Sequence, residues 1–178
     1  MKDMKSVKLY IIPVFIAAIL TAVDQITKFI ITSTYKVGDS KPLIDGVFNI
    51  TYVRNEGMAW GAFKGGRYIF LAFTVVVLLF AMYVYARVAG EKGFFFFRVC
   101  LLFLISGAIG NMIDRAVKGY VVDFLDFSLI KFPVFNVADI FLTVSLILLA
   151  VMVIFFFDDD KFNKAFSFKK QEKEEADE

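Results

Sequence analysis

Four long apolar runs constrain the fold of this chain more than any other feature. Their approximate bounds are Leu9–Thr32, Tyr68–Ala86, Phe94–Ile113 and Val137–Phe157. A helix of about 20 residues crosses a hydrocarbon core roughly 30 Å thick, and each run is close to that length. Backbone groups in lipid must be satisfied within their own segment, so each run is predicted to be a helix. The runs make up nearly half of the 178 residues, which favours one compact membrane domain.

The first run is preceded by Lys2, Lys5 and Lys8, as a secretory signal would be. It is too long for the apolar region of a signal peptide, and no A-x-A-like cleavage site follows, so we expect an uncleaved span. Lysines and arginines near the span ends favour both termini inside. The prediction is a multi-pass protein with one four-helix domain over residues 1–160 and a solvated, charged cytoplasmic tail over 161–178.

The loop between the first two runs has a pattern of its own. It contains VFNITYV, a stretch of alternating β-forming residues that lies between Asp-Gly and Asn-Glu-Gly turn signals. Trp60, Phe63 and Tyr68 follow, as an interfacial aromatic belt would. The predicted fold class is therefore an all-α polytopic membrane protein. It has four transmembrane helices and a small extracytoplasmic β-sheet between spans 1 and 2, at about residues 36–67.

Composition excludes several kinds of chemistry. The chain has no histidine, which excludes Ser-His and Cys-His nucleophilic catalysis and His-ligated zinc. Its one cysteine, Cys100, lies inside the third run, where we interpret it as a packing residue. A net charge of +2 gives no basis for a nucleic-acid partner. Carboxylate chemistry is what remains.

Asp24 and Lys28, in the motif TAVDQITK, stand four residues apart on one helical face at the end of span 1. One interpretation is a neutralising pair in which Lys28 extends to the membrane interface. The other is that Asp24, with Gln25, orients the groups of a neighbouring site. In both cases the face must point inward, because a carboxylate is costly to expose to lipid.

Two further motifs lie on the same side of the membrane if the spans alternate. In YVRNEGMAWG, Asn55 and Gly57 predict either a plain turn with positive φ or a close backbone approach to an extended peptide. In SGAIGNMIDR, the small residues predict close helix packing. Packing does not explain Asn111 and Arg115, which share a helical face four residues apart.

Two more motifs carry acids. In GYVVDFLDF, Asp123 and Asp126 each precede a phenylalanine, and an apolar setting raises the pKa of a carboxyl. Either acid is a candidate functional group or a solvated loop residue, and the spacing does not choose between them. In FNVAD, Asn136 can cap the fourth helix, with Asp139 completing a capping box. Asp139 can equally be a working carboxylate.

By alternation of the spans, one face of the membrane gathers most of these polar residues. They are Asp24, Asn55, Asn111, Arg115, Asp123, Asn136 and Asp139. Independent caps and turns have no reason to collect on one side. Two aspartates that share a proton can activate water and protonate a leaving group, as in aspartic proteases.

Five motifs in this order between four spans, TAVDQITK, YVRNEGMAWG, GAIGNMIDR, VVDF and FNVAD, resemble bacterial lipoprotein signal peptidase, or signal peptidase II. The resemblance implies a membrane-embedded aspartic endopeptidase. It would remove the signal peptide from diacylglyceryl-modified prolipoproteins, cutting just before the lipidated cysteine. The implied catalytic pair is Asp123 and Asp139, which favours Asp123 over Asp126. The implied supporting and substrate-binding residues are Asp24, Lys28, Asn55, Gly57, Asn111, Arg115 and Asn136.

The resemblance also sets expectations about partners. It implies contact with membrane lipids, inhibition by globomycin-type cyclic peptides and a place in the bacterial plasma membrane. We further expect no metal, no cofactor and a monomer. Three other functions compete with this one: a small proton-coupled carrier, a non-catalytic assembly factor and a metal-dependent hydrolase.

Overall fold

The computed structural model describes residues 2–57 and 66–167, with side chains from residue 9 onward. Trp60, Phe63 and the tail beyond Ser167 lie outside the described residues. The helices and strands, in chain order, are α1 (Lys2–Thr34), β1 (Ser40–Ile44), β2 (Phe48–Asn55), α2 (Arg67–Val88), α3 (Phe95–Val117), β3 (Val121–Asp126), α4 (Val137–Phe156) and α5 (Asp159–Phe166).

Among the described residues, four helices are long and apolar enough to cross a membrane: Leu9–Thr34 within α1, α2, α3 and α4. The prediction of four spanning helices is confirmed. The end of α3 lies four residues beyond the predicted Ile113. The helix continues because the polar side chains of Asp114 and Arg115 bind inside the protein instead of ending the apolar segment.

Helix α3 is the centre of the bundle. Of its most apolar stretch 61% is buried, compared with 11–17% for the other three spans, which leave their outer faces to lipid. Gly107 and Gly110 allow the close approach of its neighbours. A Cβ at Gly107 would lie 2.6 Å from the carbonyl oxygen of Ala138 in α4, and one at Gly110 would lie 2.5 Å from Oδ2 of Asp24 in α1. The small residues therefore act in helix packing, as predicted.

Within the part of the chain that the structure describes, the sheet has three antiparallel strands in the order β1-β2-β3. Strands β1 and β2 lie in the loop where the sheet was predicted. Strand β3 comes instead from the connection between α3 and α4, so a sheet confined between spans 1 and 2 is an incomplete prediction. VVDFLD lacks the alternation of a half-buried strand, and its pairing partner lies about 70 residues away. The register sets Asp123 opposite Val53 and Val121 opposite Asn55.

The described part of the predicted tail is folded, which differs from the expectation of a solvated run. Helix α5 begins at an aspartate cap, where the side chain of Asp158 accepts a hydrogen bond from the backbone N–H of Lys161 at 2.8 Å. Ala165 is fully buried, and Phe166 packs edge-on against Phe97 of α3. Apolar contacts at the base of the bundle therefore hold this charged segment in place.

Candidate active site

A cavity of about 1230 Å³ lies between α2, α3 and α4. At one end it is lined by the carboxylates of Asp123 and Asp139, by Arg115 and by the end of β2. The remaining lining is mostly apolar and includes Phe70, Phe73, Val77, Leu104, Ala108, Leu142, Val144 and Leu146. The cavity thus joins a polar end to an apolar groove between membrane-spanning helices.

Asp123 projects from β3 and is only 2% exposed. Its Oδ2 accepts a hydrogen bond from Nδ2 of Asn55 at 2.8 Å, and its Oδ1 accepts one from Nδ2 of Asn136 at 2.6 Å. Burial, followed by the nearby charge of Asp139, raises the pKa of Asp123 from 3.8 to about 7. The two amide hydrogen bonds act in the opposite direction, because they stabilise the anion. Asp123 therefore changes protonation state near neutral pH.

Asp139 lies in the first turn of α4, where the helix dipole favours an anion. The predicted capping box is present: the backbone N–H of Asp139 donates to Oδ1 of Asn136 at 3.0 Å, and the N–H of Asn136 donates to Oδ2 of Asp139 at 3.0 Å. Nδ2 of Asn111 donates to Oδ1 of Asp139 at 2.7 Å. The same carboxylate lines the cavity, so capping and a chemical role are compatible.

Two asparagines join the carboxylates. Nδ2 of Asn136 donates both to Asp123 and to Oδ1 of Asn111, the latter at 3.2 Å, and Asn111 donates to Asp139. Each carboxylate oxygen has a second lone pair beyond the one used by these bonds. The arrangement therefore holds both carboxylates in place and leaves them able to bind a water molecule.

Lys28 is fully buried behind this pair, so the interpretation in which it extends to the interface is wrong. Its Nζ lies 2.9 Å from Oδ2 of Asp24 and 3.2 Å from Oδ2 of Asp114, and it donates to Oδ1 of Asn111 at 2.9 Å. Because Lys28 and Asn136 both donate to the oxygen of Asn111, the amide nitrogen of Asn111 must point to Asp139. The neutralising pair of the first interpretation is therefore present in a buried form, and Lys28 in addition orients an amide of the site.

Asp24 and Asp114 tie this charge cluster to the neighbouring elements. Oδ1 of Asp24 accepts the backbone N–H of Ala138 at the start of α4, at 2.9 Å. Oδ2 of Asp114 accepts the N–H of Val122 in β3 at 3.1 Å, and Lys118 Nζ lies 2.9 Å from its Oδ1. Asp114 is a buried acid of the site that the predicted set omits. A carboxylate near the end of an apolar helix, four residues before a lysine, was its signal.

Arg115 and Gly57 meet at the mouth of the cavity. Nη2 of Arg115 donates to the carbonyl oxygen of Gly57 at 3.3 Å, and its guanidinium lies 5.1 Å from the ring centroid of Phe70. The turn predicted at Asn55–Gly57 is present. It is closed by the Asn55 side chain, whose Oδ1 accepts the N–H of Gly57 at 3.0 Å, without a glycine in positive φ.

Asp126 lies apart from the predicted pair. Its Oδ2 accepts a hydrogen bond from Oγ1 of Thr51 at 2.7 Å, within the sheet, and it is not among the residues that line the cavity. Within residues 2–57 and 66–167, no group of three or more acidic or cysteine side chains is arranged to hold a metal ion. Apart from Asp126, the predicted polar residues all meet in one connected network or at its cavity.

Comparison with known proteins identifies the family of this arrangement. A family model described as "Signal peptidase (SPase) II" matches residues 16–155. A relative from Brevibacillus brevis strain 47, named "Lipoprotein signal peptidase", is 41% identical over 84% of this chain and 97% of its own. One of the same name from Staphylococcus aureus strain MRSA252 is 38% identical over 79% and 86%.

Solved structures agree in fold. A bacterial membrane enzyme determined by the in meso method at 2.3 Å resolution has a TM-score of 0.71 and 35% identity, covering 92% of this chain and 94% of that one. A second, at 1.9 Å resolution, has a TM-score of 0.72 and 36% identity, covering 83% and 96%. The similarity therefore extends over almost the whole chain.

Proposed function

The chain belongs to the signal peptidase II family, and we propose that it cleaves its substrate with Asp123 and Asp139 as a catalytic pair. As a lipoprotein signal peptidase, it is a membrane hydrolase that removes signal peptides from prolipoproteins. The carrier and assembly-factor alternatives do not agree with this family membership. One observation carries the proposal for the pair: two buried carboxylates, joined by Asn136 and Asn111, line one cavity.

We assign different roles to the two acids. Burial raises the pKa of Asp123 to about 7, so the pair can hold one shared proton at neutral pH. We place that proton on Asp123 because Asp139 lies in the first turn of α4, where the helix dipole favours an anion. Asp139 takes a proton from a bound water as the water oxygen attacks the scissile carbonyl carbon, and Asp123 donates its proton to the carbonyl oxygen. Asp139 then passes its proton to the leaving nitrogen as the C–N bond breaks, and Asp123 regains its own from the diol.

The substrate in this proposal is a diacylglyceryl-modified prolipoprotein, cut just before its lipidated cysteine. The apolar part of the cavity, between α2 and α4, suits the hydrophobic helix of a signal peptide. Arg115 and the carbonyl of Gly57 lie at the polar end, where an extended peptide would reach the pair. A globomycin-type cyclic peptide would compete for the same cavity, and no metal or cofactor is needed.

We further propose that both termini are cytoplasmic and that the sheet and catalytic pair lie at the outer face of the plasma membrane. The charges of the short α2–α3 turn support this orientation, because Arg87, Lys92 and Arg98 gather at the end of the bundle opposite the pair. The three-stranded sheet would then lie on the outer surface. The enzyme would act as a monomer, since every proposed catalytic and supporting residue comes from one chain.

Cleavage by purified variants tests the pair. Wild type, Asp123→Asn, Asp139→Asn and the matched control Asp126→Asn are given a diacylglyceryl-modified prolipoprotein in detergent, with and without a chelator. We expect the first two substitutions to lower kcat by about 10²–10⁴-fold or more, because each removes a proton-transfer group. Asp126→Asn should retain activity. Full activity in Asp139→Asn would refute the pair, and inhibition by the chelator would favour a metal-dependent reaction.

A further inference from the structure

An exposed apolar surface at the far end of the sheet lies, apart from Phe132, outside the proposed substrate cavity. We call it the hairpin–turn patch. It consists of Leu43, Ile44, Phe127, Leu129, Ile130 and Phe132. Leu129 and Ile130, in a single 3-10 turn that follows β3, are 67% and 68% exposed. Leaving such side chains in water forgoes about 1.5–3 kcal/mol of burial for each, so a surface of this kind calls for a partner.

The patch is continuous although its residues come from two loops. The N–H of Leu129 donates to the carbonyl of Val47 in the β1–β2 hairpin at 3.4 Å. The rings of Phe48 and Phe127 are 4.8 Å apart, which joins the hairpin to the end of β3. The two apolar segments therefore form one surface.

The position of the patch beside α4 indicates that its partner is lipid. The ring of Phe132 is 5.7 Å from that of Phe135, which lies two residues before the first residue of α4. Phe132 also lines the cavity, together with Ile140 of α4, whose side chain is exposed on the spanning helix. The patch thus continues onto a surface that lipid covers. The interfacial layer on each side of the hydrocarbon core is only about 5–8 Å thick, so a patch at the mouth of α4 lies at that level.

Charged residues border the patch: Lys131 follows the exposed turn, and Asp45 lies in the hairpin. Lys131 follows the 3-10 turn with a φ of 49°, and its N–H donates to the carbonyl of Ser128 at 3.2 Å. This left-handed residue ends the turn between the exposed side chains of Ile130 and Phe132. A lysine among apolar side chains matches a surface of acyl chains and phosphate headgroups.

We propose that the hairpin–turn patch inserts into the membrane leaflet beside α4 and anchors the sheet at a fixed depth. This inference rests on the proposed function, which sets the sheet at the membrane surface. Strand β3 carries both Asp123 and, at its end, the segment that leads into the patch. Insertion would therefore fix the catalytic pair at the level where a lipid-modified substrate presents its scissile bond.

Fluorescence quenching tests the insertion without depending on activity. In a Trp60→Phe background, which removes the one native tryptophan, Ile130→Trp is reconstituted in phosphatidylcholine vesicles whose acyl chains are brominated. We expect its emission to fall by at least about half relative to unbrominated vesicles, because an inserted indole meets the acyl chains. Ile147→Trp, on the exposed apolar face of α4, is the positive control. Ser40→Trp, at the opposite end of β1, is the matched sheet control.

Each outcome is decisive. Quenching at Ile130→Trp that exceeds quenching at Ser40→Trp supports the proposal, and equal or weaker quenching overturns it. An unquenched tryptophan, with an oligomer that Ile130→Asp dissociates, would assign the patch to a second copy of the chain and also overturn it. Cleavage by the same tryptophan variants in detergent is measured in parallel. A failure of the catalytic pair would therefore be seen separately from a failure of insertion.

Discussion

At the residue scale, the protonation of Asp123 is set by opposing effects on one carboxylate. Burial and the charge of Asp139 raise its pKa to about 7, while Asn55 and Asn136 lower it by donating to its two oxygens. A catalytic pair that shares one proton is inactive once that proton is lost and both carboxylates are charged. We therefore expect the activity of the enzyme to decline as the pH rises through about 7.

Replacing Asn55 should move that decline. Asn55→Ala removes a hydrogen bond that the anion of Asp123 accepts, so the pKa of Asp123 rises further and the alkaline limb of kcat/KM shifts to higher pH. A pH profile of prolipoprotein cleavage measures the shift. The matched control is Thr51→Ala, which removes the hydrogen bond to Asp126 and should leave the limb in place. If the alkaline limb of Asn55→Ala is unchanged, the titration seen in the pH profile does not belong to Asp123.

At the element scale, one buried cation links three helices. Lys28 of α1 pairs with Asp114 of α3, and Asp24, its other partner, accepts the first backbone hydrogen bond from α4 through Ala138. The spacing of Asp24 and Lys28 could be predicted from the motif, because residues four apart share a helical face. The hydrogen bond to α4 could not be predicted, because no local pattern shows which backbone N–H a buried carboxylate will bind.

Lys28→Met tests whether this cluster positions the site as well as stabilising it. The substitution leaves Asp24 and Asp114 without the buried cation that lies between them and should lower stability by about 3–5 kcal/mol. It also removes one of the two donors that fix the oxygen of Asn111, so kcat should fall. The double variant Lys28→Met/Asp24→Asn removes the charge of one buried acid together with the buried cation.

The two readouts should separate in that double variant. We expect the melting temperature in detergent to recover in part, while kcat stays low because nothing from α1 holds the oxygen of Asn111. Lys28→Arg, which retains a cation, should preserve more of both. Recovery of kcat together with stability would limit Lys28 to a structural role.

Local sequence patterns predict only part of the sheet. Turn signals and β-forming residues were sufficient to predict strands around VFNITYV, because those signals are adjacent in the chain. Strand β3 was missed. Its backbone pairs with β2 across α2 and α3, and Asp123 interrupts what would otherwise be an apolar strand. The same residue that makes the segment hard to recognise as a strand is the one that the strand brings into the cavity.

At the scale of the whole molecule, the two ends of the helix bundle around α3 differ in their chemistry. At the cavity end, motifs from every loop predicted on that side meet around Asp123 and Asp139, because the four spans alternate. At the other end, α5 runs from α4 to α2, and Arg87 of α2 donates to the carbonyl oxygens of Asn163, Lys164 and Ser167. The family match ends at residue 155, before α5 begins, so no family motif could have predicted this contact.

Arg87→Met should release α5 without disturbing the catalytic pair. The substitution removes the charged donor of several α5 carbonyls, and the loss of such bonds should lower stability by about 1–3 kcal/mol. A lower melting temperature in detergent, with kcat near that of the wild type, is the expected result. Asp159→Asn, at an exposed position of α5, is the control and should melt close to the wild type. A large fall in kcat at an unchanged melting temperature would contradict this separation. It would mean that the α5 end of the bundle is coupled to Asp123 and Asp139 through α3.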